Sequence, residues 1–223
     1  MFGKGFRACL PVAASVAAYG SVLGVLAAQK QLSWGQVLWM DLLVFAGSAQ
    51  FVMVDLWAWP PAAGPMALAV GVINARYLLI GATLRPVFEG RGLLSKLFFM
   101  HFVADENWAV TMAAHRQGGA DVWHLWGGGL CVMGAWCLGT LVGVGLGAAV
   151  PDPEAWALDF AFTAVFTALA VSLWRGARRD GVPWAAAVGA ACLAERWLPG
   201  TWYVLAGGLA GAVAAAFGPE GEA

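Results

Sequence analysis

Four polar groups stand within stretches that are otherwise apolar enough to dissolve in lipid, and each has a chemistry. The first is Gly47-Ser48-Ala49-Gln50. Gly and Ser loosen a helix, while Ser48 and Gln50 donate and accept hydrogen bonds. A backbone opened here would expose carbonyls, as in the broken helices that hold polar substrate groups in transporters; the alternative is hydrogen bonding between helices. The second is Asn74-Ala75-Arg76-Tyr77. A guanidinium at membrane depth has to meet an anion or backbone carbonyls, and its fork fits a carboxylate. That carboxylate is a substrate's or a structural one such as Asp41 or Asp55, unless Arg76 snorkels to the interface.

The third group is Asp105-Glu106-Asn107, with His101 one turn earlier. On a continuous helix His101 and Asp105 share a face, and Glu106 turns away by about 100°. A carboxyl taken out of water can carry a proton at ordinary pH. If the segment lies at the interface instead, these groups are simply hydrated. The fourth is Glu195-Arg196, an interfacial anchor ahead of Pro199-Gly200. Asp41 is expected to begin a helix, where a carboxylate suits the helix dipole. Motifs of soluble enzymes are absent: no G-x-S-x-G, no H-E-x-x-H, no phosphate-binding Walker loop. His101, His115 and His124 have no metal-ligand spacing, and nothing calls for a cofactor.

The elements that must position these groups are membrane helices. Apolar residues make up 61% of the 223 and charged residues 11%, against about 25% charged in a soluble domain. So few charges cannot cover a water-facing surface. The net charge of −1 gives no case for nucleic acid. Cys9, Cys131, Cys137 and Cys192 form no Cys-x-x-Cys pair and are expected to be small buried side chains. Apolar stretches run over about 9–28, 36–58, 65–84, 97–114, 123–150, 156–174 and 183–217. Each of roughly 20 residues is enough for one crossing. Pro199-Gly200 splits the last into two short helices or a hairpin. Lys4 and Arg7 precede the first run, which exceeds a usual signal core and is read as a retained helix. The expectation is an all-α integral membrane protein with about seven transmembrane helices, between six and eight, some of them broken.

Glycines four apart (Gly20 and Gly24; Gly139, Gly143 and Gly147; Gly207 and Gly211) make flat stripes where another backbone can approach. The halves also echo each other. Gly20-Ser21-Val22-Leu23-Gly24-Val25 matches Gly139-Thr140-Leu141-Val142-Gly143-Val144 at an offset of 119. Phe45-Ala46-Gly47-Ser48-Ala49-Gln50-Phe51 matches Phe160-Ala161-Phe162-Thr163-Ala164-Val165-Phe166 at 115. This suggests a 3+3 repeat: residues 5–85, a linking segment 86–120, and residues 121–217. Two orientations stay open. With seven crossings and the N-terminus inside, Arg85, Arg91 and Lys96 fall outside, against the positive-inside tendency. If 97–114 does not cross, the N-terminus faces out, the basic loops lie inside, and the repeats are inverted.

Four signposts in order complete the sequence picture: Gly5-Phe6-Arg7 through Pro11 with Gly20 after it, Phe45 to Phe51, Asn74-Ala75-Arg76-Tyr77, and Asp105-Glu106. The set resembles the AzlC family, the large subunit of bacterial branched-chain amino-acid exporters, over about residues 5–215. Where that family usually has His after the Arg, Tyr77 stands here, keeping a ring and losing a group that titrates near neutral pH. The resemblance implies a multi-pass protein of the bacterial cytoplasmic membrane, a small AzlD-like membrane partner, and export of valine, leucine, isoleucine or similar amino acids. On that basis Ser48, Gln50, Asn74 and Arg76 are the expected substrate-binding residues. Asp105 or Glu106 is expected to pair with the substrate ammonium or to carry a coupling proton. The rival readings are a passive channel for small solutes and a structural subunit of a transport complex.

Overall fold

The computed structural model describes residues 1–147, 176–198 and 202–217, together with Thr167, Val171 and Trp174. Ten helices and no strands lie among the described residues: α1 (Phe2–Gln29), α2 (Trp34–Leu43), α3 (Gly47–Asp55), α4 (Ala63–Asn74), α5 (Arg76–Thr83), α6 (Leu93–Met100), α7 (Asp105–Arg116), α8 (Val122–Gly147), α9 (Ala177–Trp197) and α10 (Trp202–Ala216). The chain is an all-α integral membrane protein. Among the described residues three stretches are long and apolar enough to cross a bilayer: α1, α4 with α5 (Ala63–Thr83), and α8. The large apolar side chains of Leu78, Leu79, Leu94 and Leu138 face outward, as lipid-facing residues do. The segment 156–174 and the motif Phe160–Phe166 lie outside the described residues, apart from the isolated positions named above.

The residues fall into two compact units. The first holds α1, α2, α3, α5, α6, α7 and α8. The second holds most of α4 with α9 and α10. In that second unit, α9 and α10 form an antiparallel pair. A methyl group on Gly207 would meet the Ala187 carbonyl at 3.0 Å, and one on Gly211 would meet the Ala187 side chain at 3.0 Å and the Pro183 carbonyl at 3.3 Å. The stretch 183–217 is therefore two helices forming a hairpin, and the first of them starts earlier than hydropathy suggests, at Ala177. Glu195 and Arg196 are exposed in its last turn, and Cys192 is exposed rather than buried.

The first unit is organised by α1 and α8. α1 runs 28 residues without a charge beyond Arg7, and its Ser15 and Ser21 hydroxyls donate back to Val12 and Ala18 carbonyls at 2.8 and 2.7 Å. Polar groups satisfied inside the helix are compatible with hydrocarbon. α8 is started by Asp121, whose carboxylate accepts from the Trp123 and His124 amides at 3.0 Å each.

The two helices pack on their glycines in parallel. Gly5 lies on His124, Gly20 on Trp136 and Thr140, Gly24 on Thr140 and Gly143, and Gly147 on Val25 and Ala28. The contacts are reciprocal at a separation of 119 residues. Gly20 meets the Trp136 carbonyl while Gly139 meets that of Ala17; Gly24 meets the Thr140 carbonyl while Gly143 meets that of Ser21. An approximate two-fold along the helix direction generates such reciprocity. The parallel run overturns the inverted arrangement considered above, in which the first helix of each half would have opposed the other.

Candidate functional site

The stretch 36–58 is not one crossing but a hairpin. Ser33 caps α2: its hydroxyl accepts from the Gln36 amide, and Gln36 Oε1 accepts from the Ser33 amide at 2.8 Å. The helix ends at Leu43, the chain reverses through Val44-Phe45-Ala46, and α3 begins at Gly47. Lys30, just past the end of α1, donates to the carbonyl of Asp55, the last residue of α3, at 2.9 Å. The hairpin thus enters and leaves at the same end of the bundle. The expected loosening at Gly47-Ser48 occurs three residues earlier, and Gly47 is needed for another reason: a Cβ there would meet the Trp136 ring at 2.9 Å.

Gln50 holds the tip. Its Nε2 donates to the Met40 and Val44 carbonyls at 3.1 and 2.7 Å, and its Oε1 accepts from Trp136 Nε1 at 2.6 Å. Both carbonyls also accept from the backbone, Met40 from the Val44 amide at 2.8 Å and Val44 from the Ala46 amide at 2.6 Å, so Gln50 adds a second bond to each and ties the turn to α3 away from water. Asp41 does not begin a helix. It is the eighth residue of α2, fully buried, and accepts from Thr140 Oγ1 at 2.5 Å and Trp136 Nε1 at 3.1 Å.

The stretch 97–114 is also a hairpin, of α6 and α7, so it does not span. His101 caps the end of α6 and Asp105 opens α7, so the shared helical face expected for them does not exist. Asn107 holds this tip as Gln50 holds the other. It is fully buried, its Oδ1 accepts from the Ala104 amide at 2.7 Å, and its Nδ2 donates to the Phe102 and Leu125 carbonyls at 3.0 Å each. Thr111 bonds His124 at 3.2 Å, and Trp108 Nε1 donates to Thr83 at 2.8 Å. Arg91 lies over the rings of Phe99 and Trp123, 5.4 and 5.8 Å from their centroids. Both ends of this hairpin therefore sit at the start of α8, opposite the end where the first hairpin enters.

A cavity of about 380 Å³ lies between the two tips. Leu43, Val44, Phe45 and Ala46 of the first tip and Leu97, Met100, His101 and Val103 of the second line it, with Asn74 and Tyr77 from the α4–α5 break. Its size is within the roughly 300–1,000 Å³ usual for small-molecule sites, and its apolar lining with a few polar groups is also usual. Between Asn74 and Tyr77 in the chain stands Arg76, whose Nη2 pairs with Asp105 Oδ2 at 3.2 Å. Arg76 therefore meets neither Asp41 nor Asp55, the structural partners considered from sequence. Its guanidinium also lies 5.4 Å from the Tyr77 ring centroid. Glu106 is half-buried, close enough to feel both Asp105 and Arg76.

Of the six residues singled out by sequence, Asn74 lines the cavity, while Arg76 and Asp105 pair with each other and are not among its lining residues. Ser48 Oγ, Asn74 Oδ1 and Arg76 Nε are buried atoms without a hydrogen-bond partner. Gln50 is fully engaged with its own hairpin and with Trp136. Sequence reading missed Trp136 and Thr140, named Asn107 within the third polar group without a role, and misjudged Asp41. Their signal was a polar or ring-nitrogen group deep in an apolar run, but nothing local says that residues about a hundred positions apart meet.

Two broken hairpins entering from opposite ends, with a polar-edged cavity between their tips, define an integral membrane protein of the solute-handling kind. The AzlC family model, described as "AzlC protein", matches residues 11–150, and the chain belongs to that family. It is 26% identical over 177 residues to the "Branched-chain amino acid transport protein AzlC" of Bacillus subtilis (strain 168), covering 78% of this chain and 68% of that protein. It is 24% identical over 210 residues to an "Uncharacterized membrane protein" of Helicobacter pylori (strain J99), covering 92% and 90%. No solved structure matches the chain.

Proposed function

We propose that this chain is a secondary transporter that exports branched-chain or other small apolar amino acids across the bacterial cytoplasmic membrane, coupled to an ion gradient and paired with a small AzlD-like membrane subunit. The observation that supports this most is the cavity between the hairpin tips, lined by Asn74 and Tyr77 on either side of Arg76 in the chain, together with the Arg76–Asp105 pair. An amino acid carries one carboxylate, one ammonium and a side chain, and each has a complement here. The carboxylate takes the guanidinium fork of Arg76, displacing Asp105 from it. Asp105, with Glu106 nearby, then receives the ammonium, and the free Asn74 Oδ1 accepts a further ammonium hydrogen. The apolar side chain lies against Leu43, Phe45, Leu97, Met100 and Val103. Ser48 offers a free hydroxyl next to the first tip, and Gln50 keeps that tip in shape.

Exchange of the internal ion pair for a zwitterion limits the electrostatic cost of loading, because two charges replace two. The test is counterflow of labelled leucine into proteoliposomes holding this chain and its small partner. Saturable exchange is expected, with a large loss in Arg76→Ala and none in a lipid-facing control such as Leu79→Ala. Normal insertion and full exchange by Arg76→Ala would refute the anion site. Accumulation against a gradient separates the transporter from a passive channel, which only equilibrates.

A further inference from the structure

Asp41 lies outside the cavity lining and outside the ion pair, yet it is fully buried in a membrane bundle. We propose that Asp41 binds and releases the coupling proton of the transport cycle, and that Trp136 and Gln50 transmit its state to the first hairpin tip. The proposal rests on the transport reading above and moves the coupling group from Asp105 or Glu106 to α2.

The argument is one of hydrogen-bond accounting. Thr140 has one hydroxyl hydrogen and two acceptors in reach, Asp41 Oδ2 at 2.5 Å and the Cys137 carbonyl at 3.0 Å. Trp136 has one indole hydrogen and two acceptors in reach, Gln50 Oε1 at 2.6 Å and Asp41 Oδ1 at 3.1 Å. With a carboxylate, both hydrogens go to Asp41, and Gln50 Oε1 loses its donor. With a carboxylic acid, the new O–H donates to Thr140 Oγ1, the Thr140 hydroxyl turns to Cys137, and the Trp136 hydrogen goes wholly to Gln50. The same heavy-atom positions accommodate both forms: the carboxylate leaves Gln50 Oε1 short of a donor and the acid leaves Asp41 Oδ1 short of one, so the proton moves the unmet acceptor from one group to the other.

Among the described residues no cation bonds or pairs with Asp41. The titratable neighbours are the Cys137 thiol of α8 and the Tyr19 phenol of α1, whose ring stacks on Trp136 at 5.8 Å; α3 brings the neutral Gln50, while Lys30 and Asp55 lie at the mouth of the hairpin. An unpaired charge is expensive in a bilayer interior, so the carboxyl is accommodated there by taking one proton from the aqueous phase and returning it. The transmission path is short. Gln50 Nε2 holds the Val44 carbonyl at 2.7 Å, and Val44 lines the cavity. Loss of the Trp136 donor frees the amide that fixes this tip.

Infrared spectroscopy of the purified chain in lipid tests the proton directly. A protonated-carboxyl band that titrates with pH is expected in the wild type, lost in Asp41→Asn and kept in Asp55→Asn. A band that survives in Asp41→Asn overturns the proposal. If Asp41→Asn does not fold, Thr140→Val carries the test: the band shifts as the O–H loses its acceptor, and an unshifted band overturns the assignment. In proteoliposomes, Asp41→Asn should keep leucine counterflow and lose accumulation driven by a pH gradient; continued accumulation overturns the coupling role. A wild type with an Asp41-dependent band but no exchange of any solute overturns the transport reading and leaves the proton site supported.

Discussion

Gln50 and Asn107 perform the same task in two hairpins that share no sequence pattern. Each is an amide on the second arm, fully buried, donating to two backbone carbonyls, those of Met40 and Val44 for Gln50 and those of Phe102 and of Leu125 in α8 for Asn107. In hydrocarbon no water can take over those bonds. Replacing Asn107 with Ala removes the side-chain partner of the Phe102 carbonyl and of the Ala104 amide, at about 1–3 kcal/mol for each group left unsatisfied. A marked drop in the thermal midpoint of the detergent-solubilised protein is expected, well beyond that of Leu79→Ala on the lipid face. At the neighbouring ion pair, charge alone is not enough. Arg76→Lys keeps the charge but loses the fork, so leucine counterflow is expected to need a higher substrate concentration than in the wild type. An unchanged half-saturation would mean that the fork is not used.

The helices of the first unit are held by shape more than by polar bonds. α1 and α8 meet through Gly5, Gly20, Gly24, Gly127, Gly139 and Gly143, where a side chain would strike the partner's backbone. Membrane helices gain little from apolar burial as such, so close backbone contact supplies the association. Gly143→Val is expected to separate the pair and lower stability by at least the roughly 1–3 kcal/mol of an overpacked core. Gly145→Val, one turn-face away in open space, should be silent. Thermal aggregation of the two variants side by side distinguishes them. At this scale the sequence was only partly legible. The glycine stripes were plain, and so was the split in 183–217. The two hairpins read as crossings because hydropathy reports what surrounds a segment and carries no sign of its direction. The reversal at Val44-Phe45-Ala46 is permitted by Gln50, six residues on, and by Trp136 in a distant helix.

For the molecule as a whole, the parallel course of α1 and α8 requires an odd number of crossings between them. Both hairpins return to the end they enter from, so within the first unit the chain leaves one end after Asp55 and reaches the other by Thr83, beside Trp108. Lys4, Arg7, Arg85, Arg91 and Arg116 then belong to the same end of the first unit, and Lys30 to the other. The positive-inside tendency puts the richer end in the cytoplasm. Cysteine placed at Lys4 or Arg91 should resist a membrane-impermeant thiol reagent in intact cells, and cysteine placed at Gln31 should react. The opposite labelling would reverse the orientation. This arrangement corrects both topologies drawn from sequence, since each allowed at most one of the two broken segments to turn back.

The division between sequence and tertiary structure follows from the range of the forces involved. Composition alone settled the solvent, because 11% charged residues cannot cover a soluble surface. Local spacing marked the glycine faces, the split at Pro199-Gly200 and the polar groups worth attention, and the ordered signposts pointed to the AzlC family. Only the fold decided that Arg76 meets Asp105, that Gln50 serves its own hairpin, and that Asp41 lies buried against Trp136 and Thr140. The Asp41 contacts join side chains far apart in the chain, 95 residues for Trp136, and even the Gln50 bonds exist only because the chain reverses before it. Such a pairing depends on where two reversals bring the helices, and no local pattern of apolar and polar residues encodes that position.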